Sequence, residues 1–316
     1  MAIIGNDVQQ AKQYLLEGQL VAIPTETVYG LAGNALDKKS VLSIFETKNR
    51  PSFDPLIIHT DSLDKLKNFV TGFPENALDL AKAFWPGPLT LLLPKKLIIP
   101  DLVTSGLDHV AVRIPNHPLT LDLLRQLDFP LAAPSANPFG YISPTKPGHV
   151  NAQMGDKIPY ILDGGECGVG IESTIVGFIN NIPTIYRLGG LAVEEIENVV
   201  GKVNVMPHSS SNPQAPGMLK SHYAPRKPFY LRSKEEFALA HHGIGCLLFD
   251  KLIDNKDIQY QRVLSTTGDL KEAAHHLFAY LRELDALPVQ EIWAEKAPDF
   301  GLGLAINDRL RRAAAV

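Results

Sequence analysis

The chain has 316 residues, 45% hydrophobic and 20% charged, with a formal net charge of −4. Such values exclude a disordered or fibrous chain, and the length suggests about two domains of roughly 150 residues. The sequence pI of about 6.2 excludes nucleic-acid binding by bulk electrostatics, so any RNA contact needs a local patch.

The two cysteines, Cys167 and Cys246, form no CxxC pair, which excludes a disulfide scaffold and a cysteine-rich zinc site. The N-terminal MAIIGNDVQQAK lacks a basic region ahead of a long apolar run, so no secretory signal is expected. Runs such as LTLLL at 89–93 fall short of the roughly 18 residues needed to span a bilayer. A soluble, cytoplasmic protein with no membrane partner is expected.

In chain order, Asn6 or Asp7 can cap a helix that runs to Glu17 and stops at Gly18. Residues 20–23 are predicted as a strand that runs into Pro24, Thr25, Glu26 and Thr27. Asp37 can cap the next helix, which ends on Lys48 and Arg50 before Pro51. Further strands are predicted at 55–59, 89–93, 110–114, 130–133, 159–162, 174–179 and 184–187, with helices at 75–84, 118–127 and 193–200. The unit 1–205 is therefore α/β, an open twisted mixed sheet of at least seven strands with flanking helices. Residues 206–222, rich in Ser and Pro and without apolar period, read as a linker. A smaller α/β unit follows over 228–316, with strands at 228–231, 245–250 and 291–294 and helices at 234–241, 270–284 and 306–312.

Several predicted strands end on polar groups: residues 20–23 at Thr25 and Thr27, 55–58 at His59, 110–112 at Arg113, and 131–133 at Ser135 and Asn137. In an open α/β sheet such ends can converge on one crevice. With Lys48, Arg50, Arg113 and Arg187 present, that crevice suits a ligand bearing phosphates and a carboxylate. Taken singly, each residue also has an ordinary reading. Lys48 and Arg50 suit a helix C-terminus, and His59 and Tyr223 suit packing. Thr25, Thr27, Ser135, Asn137 and Ser143 suit turns. Arg113 inside an apolar strand is harder to dismiss, because a buried guanidinium needs an anionic partner. The sequence contains no P-loop, no complete dinucleotide fingerprint, no HExxH and no GxSxG.

The blocks PTETVYGL at 24–31, KNRPSFDPLIIH at 48–59, WPGPLTLLL at 85–93 and VAVRIP at 110–115 resemble the YrdC/YciO family, in the form of its two-domain threonylcarbamoyl-AMP synthases. So do APSANPFGYISPT at 133–145, ESTIV at 172–176, YRLGG at 186–190 and PGMLKSHYAP at 216–225. The resemblance implies a Rossmann-like C-terminal domain and a linker, 206–227, that covers the pocket mouth. It implies condensation of L-threonine, bicarbonate or carbon dioxide, and ATP into threonylcarbamoyl-AMP and pyrophosphate. The product would pass to the machinery that modifies the tRNA adenosine next to the anticodon. By the same resemblance Thr27, His59, Arg113, Ala133 (through its backbone) and Ser173 hold threonine. Lys48, Arg50, Ser135, Asn137, Ser143, Arg187 and Tyr223 hold ATP, with Lys48 and Arg50 catalytic and magnesium carried by the ATP phosphates. Two positions depart from the family pattern. Asp54 stands where Asn is usual, and could repel phosphate or ligate magnesium. His109 stands where Thr or Ser is common, and could still donate to ATP. The alternative is a non-catalytic module for double-stranded RNA or tRNA, which the acidic balance disfavours.

Overall fold

The computed structural model of the chain describes residues 1–206, 215–218 and 221–315. It contains one sheet of eleven strands and one of four. From one edge the larger sheet runs Ile3–Gly5, Tyr160–Leu162, Val21–Ile23, Gly30–Asn34, Leu131–Ala132 and Ile57–His59. It continues through His109–Arg113, Leu89–Pro94, Thr174–Ile179, Ile182–Arg187 and Asn204–Val205. Parallel and antiparallel pairs alternate irregularly along it, as expected for an open mixed sheet. Leu89–Pro94 is buried at its first five positions, because both sheet faces are covered. That is why it reads as an apolar run interrupted only by Thr90 rather than as an alternating strand.

Helices flank this sheet. Glu75–Phe84 and Val193–Val200 have the predicted bounds. Asp7 and Asp37 each cap a helix by accepting two backbone N–H groups. The helix Lys38–Lys48 stops where Asn49 takes φ 53°, a left-handed turn that Asn tolerates. The chain reverses there, so Lys48 and Arg50 flank a sharp corner at the edge of the crevice.

Strands Ile3–Gly5, Gly30–Asn34 and Asn204–Val205 were not predicted. The sequence GLAGN has weak strand propensity, yet it pairs antiparallel with Val21–Ile23, Ile23 facing Gly30. Long-range pairing overrides propensity here. The short helices Leu63–Leu66, Asp101–Thr104 and Pro147–Met154 were likewise not predicted.

The smaller sheet is all parallel, in the order Phe229–Leu231, Glu291–Ala294, Ile244–Leu248 and Tyr260–Val263. Tyr260–Val263 is additional to the prediction, and the helix expected at 234–241 is one 3-10 turn, Glu236–Leu239. Helices Leu270–Ala286 and Leu302–Ala313 pack against this sheet and reach the first unit. Val28, Ile142 and Ile171 of the first unit share one apolar cluster with Leu277, Phe278 and Ile306 of the second. Among the described residues no helix is long and apolar enough to cross a membrane. Both cysteines are buried and unbonded.

At Gly170 the backbones of the two units come close together. It has φ 80°, and a Cβ there would lie 2.4 Å from His275 Cα and 2.5 Å from the Ala274 carbonyl. Backbone cannot swing aside as a side-chain tip can. Gly170→Ala should therefore cost about 2–4 kcal/mol, from a left-handed Cβ together with overpacking. Urea denaturation checks this; a midpoint equal to that of the parent chain contradicts the interface described.

Candidate active site

The crevice is lined by the loop after Val21–Ile23, by Ile57 and His59 of one strand, by Arg113 at the end of the next and by Ala133. Val21–Ile23 runs opposite to Ile57–His59 and His109–Arg113, so the site is not the shared carboxyl edge of a parallel sheet. Ile57–His59 and His109–Arg113 run parallel with His59 opposite Arg113, which places an imidazole beside a guanidinium. The loop after Val21–Ile23 is built by Thr25, whose hydroxyl accepts from Thr27 N and Val28 N and donates to the Val28 carbonyl at 2.7 Å. Its one proton being used, the 2.8 Å contact between the two threonine hydroxyls is donated by Thr27. Thr27 Oγ1 in turn accepts from Arg113 Nη1 at 2.9 Å.

Arg113 has the anionic partner that its burial demands. Nη2 lies 2.7 Å from Glu26 Oε1, and Nε donates to the Gly87 carbonyl at 3.2 Å. Beside it, burial and then the Arg113 charge push His59 down to about 3. The imidazole is neutral at physiological pH, and its buried Nδ1 has no hydrogen-bond partner among the described residues.

On the opposite wall, Arg50 Nη2 pairs with Asp54 Oδ2 at 2.9 Å and donates to the Pro55 carbonyl at 2.8 Å. Asp54 is fully buried, and its Oδ1 accepts from Gly217 N at 3.3 Å. One carboxylate therefore joins the arginine to the linker. Arg187 donates from Nε and Nη2 to the Ser173 carbonyl, at 3.1 and 2.9 Å, and from Nη2 to Ser173 Oγ at 3.1 Å. Burial lowers Arg187 to about 10 despite nearby Tyr223 and Glu172. Lys48 is 1% exposed; its ammonium donates to the Ser135 carbonyl and, at 2.5 Å, to the Asn137 carbonyl. Burial, then Arg50, holds it well below the usual lysine range, with Asp54 acting the other way. Among the described residues, neither Lys48 nor Arg187 has a carboxylate within ion-pair distance. The crevice thus holds positive charge in excess of its own acids.

The structure brings most of the expected residues together. Thr27, His59, Arg113, Ala133 and Ser173 line the crevice, as do Arg50, Ser135, Arg187 and Tyr223. Lys48, Asp54, Asn137 and Ser143 stand behind its walls. Asn137 shapes the 135–141 loop by donating to the Pro138 and Tyr141 carbonyls, and Ser143 donates to Glu172 Oε1 at 2.5 Å. Asp54 is committed to Arg50 and Gly217, so it presents no open oxygen to a metal. His109 is the correction. It begins the strand that Arg113 ends and sits exposed in a separate depression with Asp108 and Phe178. Four residues of strand place the two side chains about 13 Å apart, so His109 does not reach the crevice.

Sequence reasoning missed several partners. Thr90, inside an apolar run, contacts Ser173 Oγ at 2.7 Å. Glu26 and Glu172, noticed without a role, hold Arg113 and Arg309. Nothing local in the sequence points from Glu172 to an arginine 137 positions away. Of the linker expected over 206–222, residues 207–214, 219 and 220 lie outside the described residues. Pro216, Gly217, His222 and Tyr223 line the crevice.

The depressed His59 pKa carries a sign. The folded chain resists protonation down to about pH 3, whereas the unfolded chain takes up that proton near pH 6.5. The contribution of His59 is thus present above pH 6.5 and is lost as pH falls toward 3. His59→Asn should flatten the fall in stability between pH 6 and pH 4 by about 1.4 kcal/mol per pH unit. Urea titrations at those pH values test this; an unchanged slope contradicts a buried neutral imidazole.

Two family models cover nearly the whole chain. The one described as "Telomere recombination" matches residues 13–189, and "Threonylcarbamoyl-AMP synthase, C-terminal domain" matches 191–315. The threonylcarbamoyl-AMP synthase of Pyrococcus abyssi is 42% identical over 97% of this chain and 93% of its own length. That of Bacillus subtilis is 40% identical over 98% and 94%. The crystal structure of P. abyssi Sua5 complexed with L-threonine superposes with a TM-score of 0.92 at 39% identity, covering 99% of this chain and 98% of the other. The chain belongs to the two-domain threonylcarbamoyl-AMP synthase family.

Proposed function

We propose that this chain condenses L-threonine, bicarbonate or carbon dioxide, and ATP into threonylcarbamoyl-AMP, releasing pyrophosphate. The carrying observation is the crevice itself. Arg50, Arg113 and Arg187 meet there beside hydroxyls and a neutral imidazole, and its buried positive charge is only partly neutralised from within. Buried unpaired cations are costly, and an anionic substrate relieves that cost.

The chemistry needs no enzyme nucleophile. The threonine amine adds to carbon dioxide, forming a carbamate and releasing a proton. A carbamate oxygen attacks the α-phosphorus, the bond to the β-phosphate oxygen breaks, and pyrophosphate leaves. Starting from bicarbonate, one water is also released. The Arg113–Glu26 pair and the hydroxyls of Thr27 and Ser173 suit the carboxylate, amine and hydroxyl of threonine, and neutral His59 offers a hydrogen bond without a competing charge. Arg50 and Arg187 suit phosphate oxygens by their planar fork. Lys48 acts from behind the wall, fixing the carbonyls of the 135–137 loop and adding positive potential. Such positioning and fixed charge account for rate enhancement in phosphoryl chemistry. Among the described residues no group of three His, Cys, Asp or Glu side chains could hold a metal. In this reading magnesium enters on the ATP phosphates, as part of the substrate. The product is a mixed anhydride that water destroys, so it passes to a transferase acting on tRNA adenosine. The linker residues at the mouth serve to exclude water.

The assay is threonine- and bicarbonate-dependent pyrophosphate release, with Arg50→Ala and Lys48→Ala beside the parent chain. Each substitution should lower turnover by about 10²-fold or more, the usual cost of losing a preorganised charge-stabilising donor. Parent-like turnover in both variants refutes the assigned roles. No threonine-dependent release from the parent refutes the reaction.

A further inference from the structure

Helices Leu270–Ala286 and Leu302–Ala313 belong to the second domain, yet each sends an arginine into the first. Arg282 donates from Nε to the Ser143 carbonyl at 3.2 Å, and from Nη2 to the Ile142 carbonyl at 2.5 Å and Gln153 Oε1 at 2.9 Å. Arg309 is wholly buried and donates from Nε to Glu172 Oε2 at 3.0 Å. The other oxygen of Glu172 accepts the Ser143 hydroxyl. Two arginines of the C-terminal domain therefore grip Ser143, one through its carbonyl and one through Glu172.

Arg309 does more than pair. Its guanidinium carbon stands 5.0 Å from the centre of the Tyr223 ring, and that of Arg312 stands 4.7 Å from the same ring. The His222 amide donates to the Arg312 carbonyl at 3.3 Å. Tyr223 itself has φ 68°, a conformation that costs a bulky residue about 1–3 kcal/mol and persists only where its surroundings over-determine it. Those surroundings are the two arginines, His222 at 4.2 Å between ring centres and Phe278 at 5.5 Å. The strained aromatic of the linker is thus held from the C-terminal domain, facing the crevice.

Plain docking does not explain this arrangement. The two units already share an apolar cluster and the close backbone approach at Gly170. A buried guanidinium adds desolvation cost that apolar packing avoids. Arg309 Nη1 pairs with its neighbour Asp308 at 2.7 Å, while Nε and the face of the guanidinium reach Glu172 and Tyr223, two groups that line the crevice.

We propose that Arg309 is a positioning residue for the nucleotide: through Glu172 and Tyr223 it fixes the ATP side of the crevice, so that the C-terminal domain completes a site the catalytic domain leaves unfinished. The proposal rests on reading the crevice as the site for ATP and threonine. Of the threonine-side groups, Thr27, His59 and Arg113 touch none of these contacts and Ser173 meets them only as the chain neighbour of Glu172, so the effect falls first on the nucleotide.

Arg309→Lys in the full chain keeps the charge and loses the planar fork over Tyr223 and toward Glu172. The expected result is a KM for ATP raised about tenfold or more, with the KM for threonine within about twofold and the thermal midpoint little changed. A merely structural role would move the midpoint or both KM values together. An unchanged KM for ATP, or an equal rise for both substrates, overturns the proposal. Should Arg309→Lys fail to fold, Glu172→Gln, isosteric and uncharged, decides by the same comparison. Calorimetric titration of MgATP into the same variants reads nucleotide affinity without turnover. An inactive parent chain then counts against the reaction, whereas equal ATP affinity in parent and variants counts against the positioning.

Discussion

Positive charge buried beyond what the protein's own acids neutralise is the constraint on which the crevice depends. Arg50 answers Asp54, Arg113 answers Glu26, and Arg309 answers Glu172 and Asp308. Lys48 and Arg187 are held instead by carbonyl and hydroxyl oxygens. Dipoles repay only part of the cost of taking a charge out of water. The remainder is available to whatever anion enters. A triphosphate carries enough negative charge to use it, and so the same cations that burden the free protein favour the bound state.

This constraint also explains why the crevice draws on the whole chain. The large sheet supplies His59 and Arg113, a left-handed turn at Asn49 supplies the corner between Lys48 and Arg50, and Asp54 ties Arg50 to Gly217 of the linker. The C-terminal helices supply Arg282 and Arg309. Three of the carboxylates that balance a cation also join two segments: Asp54 joins corner to linker, Glu172 joins first domain to second, and Glu26 joins the Pro24–Val28 loop to the strand of Arg113. Electrostatic balance and tertiary assembly are therefore carried by the same groups. Ligand binding at one of them bears on the position of its neighbours.

Much of this was legible in the sequence. The helices at 75–84 and 193–200 have the bounds expected, and Thr27, His59 and Arg113, read as polar groups at strand ends, line one crevice with Ala133 and Ser173, which the family resemblance added. What escaped has physical reasons. The strand Gly30–Asn34 is made by pairing rather than by propensity, and the short edge strands Ile3–Gly5 and Asn204–Val205 carry too few residues for a pattern. His109 was assigned to ATP by the family pattern at that position, but a strand converts the four residues between it and Arg113 into a long separation. Asp54 read as a possible phosphate or metal contact, whereas its burial makes it an internal counter-ion. The arginines of the last two helices had no local signal, because their partners lie in the other domain.

Hydrogen exchange of the full chain with and without MgATP plus L-threonine addresses the central claim most directly. Protection should rise together at 24–29, 48–59, 133–145 and 172–174, and at the described linker residues around Tyr223. The account also requires protection at 305–313 in the last helix, because Arg309 is part of the same assembly. Protection confined to the small parallel sheet, or scattered over surfaces that share no cavity, would contradict the claim that these separated segments form one anion-hungry site.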